Sequence, residues 1–496
     1  MFEVTQNINQ KVINSTKWTT ITEVMAKLVA PITSMLLARL LTPEAFGVVA
    51  TISMVISFTE IFTNAGFGKY MVQHEFVDEV EQEQCANVAF WSNFSLSMLS
   101  WLIIIVFCEP IATLVGSPGY GLGVAIAGAN IPIAAFSAIQ SSLYSRKFDF
   151  KTLFFRRLIG IIVPLVVTVP LAFILRNYWA LLIGTLTTHV SNAIFLTLRS
   201  DWRPRLYYKW SQFKMMISFS VWSIVESVTI WATSYADVFI IGTYLSAYYI
   251  GIYKTSMTTV NQFTTIITAA TTPVLFSALC RLQNDFHGFE NMLLKFQKIV
   301  GILVVPIGVG IFLFSDVVTV IMLGDQWEEA TGFIGLWGLF GTITVLLSHY
   351  ASTVYRSMGK PKLSALAQVL HMAFVIPALL IAVKYDFKVL YTTRSLLRLQ
   401  SVLVDCLLMY FCIKLSIWKM IKNIMPSFVA SGVMFVVGFA LRMITHNIVW
   451  SFVFIAICII VYFVVLARFQ VERNYMLHIK DYVVSKYIKH EKKDLI

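Results

Sequence analysis

Fourteen apolar stretches of about 20 residues or more follow one another along this chain. They lie near 18–41, 46–67, 87–108, 122–144, 155–175, 178–198, 215–242, 250–278, 296–323, 331–355, 363–383, 389–413, 424–445 and 447–468. About 20 apolar residues in a helix cross the roughly 30 Å hydrocarbon core of a bilayer. Only 13% of the 496 residues are charged and 58% are hydrophobic, too little polar surface to cover a soluble fold. A soluble enzyme, a disordered chain and a disulfide-stapled secreted scaffold are therefore excluded. The pattern predicts an all-α polytopic membrane protein with about 14 transmembrane helices. Several stretches carry Pro (Pro31, Pro132, Pro164, Pro170, Pro273, Pro306, Pro377), read as kinks that neighbouring helices can satisfy. The longest connection, about 68–86, is too short to hold a catalytic domain, so the chain is not read as an enzyme.

The net charge of +12 invites a nucleic-acid reading, but the distribution argues against it. Most of the 38 basic residues sit in alternate short loops and in the segment after 467, with no basic stripe interleaved with aromatics. That is the signature of the positive-inside rule, which places both termini in the cytoplasm and requires an even number of spans. The six cysteines (Cys85, Cys108, Cys280, Cys406, Cys412, Cys458) are scattered, lack CxxC or His spacing, and read as reduced packing residues, with no metal site. Residues 1–17 are polar, so no cleavable signal is expected.

An internal repeat is visible at an offset of 204 residues. Trp18 aligns with Trp222, Val24 with Val228, Leu41 with Leu245, Gly47 with Gly251 and Thr51 with Thr255. The interval contains six spans, so the copies share orientation, as parallel repeats do. The expected organisation is two six-helix pseudo-symmetric lobes plus two C-terminal helices. The N-terminal lobe covers 1–200, the C-terminal lobe 210–415 and helices 13 and 14 cover 420–468, with a cytoplasmic tail at 469–496.

The run Ala38-Arg39-Leu40-Leu41-Thr42-Pro43-Glu44-Ala45-Phe46-Gly47 resembles the ARLLTPE-x-FG signature of bacterial polysaccharide flippases. So do Asp237-Val238-Phe239-Ile240-Ile241-Gly242 with Tyr249-Ile250-Gly251-Ile252-Tyr253, and Pro273-Val274-Leu275-Phe276-Ser277-Ala278-Leu279 with Arg281 and Gln283. Leu323-Gly324-Asp325-Gln326-Trp327 resembles their G-x-x-W turn. Together the matches span about 16–365. They resemble the lipopolysaccharide and exopolysaccharide branch of the multidrug, oligosaccharidyl-lipid and polysaccharide exporter superfamily. Asn64-Ala65-Gly66-Phe67-Gly68 departs from the more acidic D-x-G-x-G common there.

The resemblance implies a multi-pass protein of the bacterial inner membrane. It would flip an undecaprenyl-pyrophosphate-linked oligosaccharide repeat for lipopolysaccharide or exopolysaccharide assembly, by alternating access. Its partners would be that lipid-linked oligosaccharide, membrane lipids and the polysaccharide polymerase machinery. No cofactor is expected beyond H+ or Na+ coupling.

Charges inside spans are rare and costly, so each marks a candidate site. Glu23 and Lys27, at i,i+4 on the first helix, read either as a pyrophosphate contact with its acid or as a structural ion pair. Arg394 and Arg398 repeat that spacing; bidentate capture of phosphate or uronate competes with snorkelling to the interface. Lys254 is a cavity or snorkelling cation, and Arg39 more naturally meets Glu44 at a helix end. Glu60, Glu226 and Asp237 are the candidates for ion coupling; Glu226 and Asp237 are eleven residues apart and share a helix face. Pairing with intramembrane cations is the alternative for all three. Asp316 and Asp405 also lie in or near spans, and His189, His349 and His371 read as packing residues.

Two glycine patterns are discounted as nucleotide sites. Gly119-Tyr120-Gly121-Leu122-Gly123 has no preceding strand, and Gly332, Gly335, Gly338 and Gly341 form a helix-packing ridge. A cation-coupled drug or small-molecule exporter of the same superfamily is the second functional reading. Such exporters usually have twelve spans, and fourteen spans together with Lys27, Arg394 and Arg398 argue against it. A polymerase or ligase would need a large periplasmic loop, which the chain lacks.

Overall fold

The computed structural model describes residues 25–470 except 64, 65 and 446, with backbone alone at 218–223, 225 and 226. Every regular element among them is helical. Twelve helices are long and apolar enough to cross a bilayer. The first and seventh expected spans are also helical, at 25–40 (α1) and Trp210–Tyr244, but lie outside that twelve. The expected total of about fourteen is thus met by length and hydropathy in twelve cases.

Contacts divide the chain into two compact units. One runs through Thr255 and includes Met322–Trp327; the other holds Ser256–Ile321 and the chain from Glu328 on. The first unit contains α1, α2 (Pro43–Thr63), α3 (Phe67–Gln73), α4 (Glu79–Val106), α5 (Cys108–Leu114), α6 (Gly121–Gly128) and α7 (Asn130–Arg146). After these come α8 (Phe150–Val163), α9 (Val169–Leu175), α10 (Trp179–Arg199), α11 (Trp210–Tyr244) and the first turns of α12 (Ala247–Arg281). Pro164 opens a π-helical turn between α8 and α9, the local answer to a missing backbone donor.

Helix starts are fixed by short polar side chains. Asp78, Asp149, Asp285, Asp386, Ser416 and Asn447 each cap a helix, their oxygens accepting from a backbone N–H two or three residues on. Such caps contribute about 1 kcal/mol each. The glycine loop at 119–123 is occupied by the protein itself. Glu109 accepts from the Gly119 N–H at 2.5 Å and the Gly121 N–H at 3.0 Å, so its donors are not offered to a phosphate.

Three of the motifs meet inside the first unit. Gln326 Nε2 donates to the carbonyls of Ala38 (2.7 Å) and Leu41 (2.8 Å), and Trp327 Nε1 donates to Ala38 (2.8 Å). These are end-of-helix carbonyls of α1, which have no partner within the helix. Trp327 is fully buried and meets Phe46 edge-on at 5.4 Å. The outer turns of α2 and α12 touch backbone to backbone. A Cβ added at Gly47 would overlap the Ala247 carbonyl and come within 2.9 Å of the Gly251 nitrogen. A Cβ at Gly251 would overlap the Pro43 carbonyl and come within 3.0 Å of the Gly47 nitrogen. Each half of this reciprocal contact maps onto the other through the 204-residue offset.

The second unit comprises the rest of α12, α13 (Phe286–Leu313), α14 (Ser315–Met322, short of its final residue), α15 (Thr331–Thr344), α16 (Ala351–Ser357), α17 (Lys362–Ala382), α18 (Phe387–Leu408), α19 (Ile417–Ile444) and α20 (Ile448–Leu466). Hydrocarbon offers no hydrophobic drive between helices, so close packing and interhelical hydrogen bonds hold it together. The glycine ridge of α15 does this on two sides. Gly335 and Gly338 sit against Ser315, Phe312 and Ile311, whereas Gly332 and Gly341 make room for Tyr391 and Arg398 of α18. Tyr462 of α20 donates to the Ile302 carbonyl of α13 at 2.8 Å.

Arg442 clamps Asp316 with two hydrogen bonds of 2.6 and 2.5 Å and donates to the Leu313 carbonyl at 2.7 Å. Burial pushes the Asp316 carboxyl up, but the hydrogen bonds and charge of Arg442 outweigh it and hold the carboxyl below its ordinary value of 3.8. A group with a lowered folded pKa contributes stability that is complete above its ordinary value and is lost as pH falls through the folded one. Because Asp316 is 41% exposed, solvent screening reduces the pair to about 1 kcal/mol or less. Arg442→Gln should therefore lower the thermal midpoint at pH 7 and flatten the loss of stability below pH 4. Equal acid sensitivity in variant and wild type would remove Asp316 from that role.

Candidate functional site

A cavity of about 610 Å³ with several polar side chains on its wall lies in the first unit, bounded by the end of α2, α3, α4, α7 and α11. Its shape starts in the sequence. The apolar run of α2 reaches Glu60 one turn before the helix ends, and Gly66, at φ 76°, takes a left-handed conformation that lets α3 follow. Gly68 faces Ser142, whose hydroxyl stands 2.7 Å from where a Cβ would lie. Glu60, Lys69, Gln73, Asn93 and Ser142 give this space a carboxylate, an ammonium, two amides and a hydroxyl. Glu60 is half-buried, and among the described residues no side chain pairs with its carboxylate. Such a wall can hydrogen-bond a hydroxyl-rich solute and meet a negative charge at one edge.

Of the two acids proposed for ion coupling whose side chains are described, Glu60 lines this cavity and Asp237 does not. Asp237 is buried as a brace. Tyr253 O–H donates to Oδ2 at 2.8 Å and the Val238 N–H to Oδ1 at 2.8 Å, so the first and last residues of the Asp237–Tyr253 motif are bonded to each other. The side chain of Glu226 lies outside the described residues, as does the whole of Glu23, so neither of their pairings is described. Lys27 is half-buried on α1. Lys254 folds back on α11, donating to the Ser234 carbonyl at 3.1 Å with its ammonium 5.1 Å from the Tyr235 ring centre.

The structure brings Arg394 and Arg398 to one indole. Arg398 stacks on Trp337 at 3.3 Å from the ring centre and donates to its carbonyl at 2.7 Å; Arg394 lies 5.2 Å from the same ring. Asn261 ties the group to α12, accepting from Trp337 Nε1 at 3.2 Å and Arg398 Nη2 at 3.4 Å. Arg398 thus positions α15 against α12 and α18. Arg398→Ala should cost about 1–3 kcal/mol of thermal stability, unrescued by Lys, which has no planar fork. Arg394→Ala should leave the midpoint nearly unchanged, because Arg398 still holds Trp337. A larger loss from Arg394→Ala in a melting series would reverse these roles.

Sequence reasoning missed Lys69, Gln73 and Asn93 as cavity residues. Lys69 read as a loop charge, and Gln73 lies in the same connection. Asn93 is a buried amide inside an apolar stretch, a signal the sequence did offer. Asp405 was legible only as an acid near a span. It is buried on α18, held by the Ser348 hydroxyl and by Tyr355 O–H at 3.1 Å.

Residues 36–332 match the polysaccharide biosynthesis protein family, which is more than half of the chain. The chain belongs to that family. It is a multi-pass membrane protein. Among family relatives, the succinoglycan biosynthesis transport protein ExoT of Rhizobium meliloti is 24% identical over 62% of this chain; the match spans 62% of ExoT. The lipopolysaccharide biosynthesis protein WzxC of Escherichia coli is 18% identical over 72% of this chain and 69% of its own. The family fold is also that of the lipid II flippase MurJ, which superposes with a TM-score of 0.73 at 16% identity over 92% of this chain and 99% of MurJ.

Proposed function

We propose that this polysaccharide biosynthesis transporter flips an undecaprenyl-pyrophosphate-linked oligosaccharide repeat from the cytoplasmic to the periplasmic leaflet of a bacterial inner membrane. The observation that carries this reading is the hydroxyl- and amide-lined cavity holding Glu60 and Lys69 inside a membrane helix unit. A sugar chain loses its water in hydrocarbon, and each charge at the bilayer centre costs about 2.5–3.5 kcal/mol or more. A polar cavity that opens alternately to the two faces removes both costs. The basic loops, Lys69 among them, face the cytoplasm in this reading, as do both termini. Glu60 is the carboxylate through which H+ or Na+ would couple to transport, and the polymerase machinery would receive the product. The curated relatives named for succinoglycan and lipopolysaccharide biosynthesis favour this reading over a drug exporter.

The test is a strain lacking this gene, with lipid-linked repeat units assigned to a leaflet by an impermeant label. Units are expected to accumulate unpolymerised on the cytoplasmic side. Units appearing normally outside would overturn the proposal and favour the drug-exporter reading.

A further inference from the structure

The turn between α7 and α8 carries phenylalanine where its backbone calls for glycine. α7 ends in a Schellman motif: the Asp149 N–H donates to the Tyr144 carbonyl at 3.0 Å and the Phe148 N–H to the Ser145 carbonyl at 3.2 Å. That motif needs a left-handed residue at position 148, and the φ of Phe148 is 56°. Glycine takes this conformation without strain, whereas a bulky side chain there is an outlier. Three described residues other than glycine have positive φ, and the other two, Arg176 and Lys414, are charged. Phe148 is 51% exposed and meets Phe150 at 6.3 Å between ring centres. A strained aromatic outside the core adds little to the fold of its own unit. Its surroundings are basic. Lys147, Lys151, Arg156 and Arg157 are exposed, and the end of α10 brings Arg199 close to Tyr144. The neighbouring acids are Asp201 and Asp149, the latter tied to the Thr152 N–H and hydroxyl at 3.1 and 2.6 Å, so the corner is net positive. Arg156 donates to Ser141, and Arg146 is engaged by the Met71, Val72 and His74 carbonyls.

We propose that Phe148 and the cations beside it anchor this corner to the cytoplasmic leaflet by binding anionic phospholipid head groups. The positive-inside rule places the corner at that leaflet, whose surface is negative. An aromatic ring is stable at the boundary between head groups and acyl chains, and the nearby Lys and Arg side chains attract the phosphates. α8 leads from the corner into hydrocarbon, within Phe150–Leu175, the least enclosed of the twelve spans. A zwitterionic head group offers the same ring contact but no net charge, so the cations set the preference. Ser142, on the last turns of α7, lines the cavity, so a head group held here steadies one of its walls. The anchor does not depend on what the transporter carries.

The experiment uses the full-length protein in proteoliposomes with a diazirine phosphatidylglycerol or, at the same mole fraction, a diazirine phosphatidylcholine. Labelling between Tyr144 and Arg157, mapped by mass spectrometry, is expected to be about fivefold higher with phosphatidylglycerol. Lys147→Gln/Lys151→Gln/Arg157→Gln should bring the two probes to parity. Phe148→Gly should cut phosphatidylglycerol labelling about threefold. The same variant should keep or raise the thermal midpoint in lipid-free detergent, because glycine relieves the backbone. Equal labelling of the wild type by the two lipids would overturn the proposal. So would a lowered midpoint of Phe148→Gly with its labelling intact, the behaviour of a packing residue. Adding an unlabelled polyprenyl-diphosphate oligosaccharide should leave the labelling unchanged. Loss of label in proportion to that addition would make the corner a substrate contact and overturn the phospholipid assignment.

Discussion

Gly47→Ala is expected to reduce polysaccharide export at least tenfold without loss of helical content or membrane insertion. The added methyl overlaps the Ala247 carbonyl, and Gly251→Ala overlaps the Pro43 carbonyl in the same way. Overpacking usually costs about 1–3 kcal/mol because side chains shift aside. Here the obstacle is backbone on both sides, so α2 and α12 must separate, and the cost belongs at the upper end of that range. The double variant is the sharper test. Once one methyl has parted the helices, the second meets less, so Gly47→Ala/Gly251→Ala should cost clearly less than the sum of the two singles. Additive losses in thermal midpoint would mean the two glycines act independently.

Glu60→Gln should lower the flux of lipid-linked repeat units about tenfold, equivalent to about 1.4 kcal/mol. The substitution keeps the volume and the hydrogen-bonding carbonyl and removes the charge, so a role in shaping the cavity alone predicts no change. Lys69→Gln should act in the same direction, because it removes the cation at the edge where a diphosphate would lie. If both residues serve one bound substrate, the double variant loses less than the product of the single effects. The measurement is leaflet-resolved appearance of repeat units at equal protein level. Wild-type flux from Glu60→Gln would take the cavity out of the transport path.

Hydrophobic runs near 20 residues long report bilayer crossing directly, which is why helix positions were legible from the chain alone. The equivalence of Gly47 and Gly251 in the repeat was legible too, but it gave no sign that their backbones touch. Side-chain direction is different in kind. The i,i+4 spacing of Arg394 and Arg398 correctly placed them on one face of α18, but nothing local to that helix indicates that Trp337, some sixty residues earlier, lies beneath both. Asp237 reads as an intramembrane acid open to coupling until Tyr253 is seen to fill one of its oxygens. Lys69 reads as a loop cation because it falls between two long apolar runs, whereas its neighbours in space are a cavity wall. Periodicity encodes which residues are apolar together; partners that come from distant segments leave no periodic trace.

The hook of Gln326 and Trp327 onto Ala38 and Leu41 sets a clock on biosynthesis. The bond from Gln326 to Leu41 spans 285 residues. At a synthesis rate of about 5–20 residues per second, the end of α1 is in place for about 15–60 s before its partner exists. Through that interval the Ala38 and Leu41 carbonyls depend on water, lipid head groups or the insertion machinery. The first unit therefore reaches its final form only after Ser256–Ile321 of the second has been made, and a ribosome stalled after Thr255 would leave it incomplete.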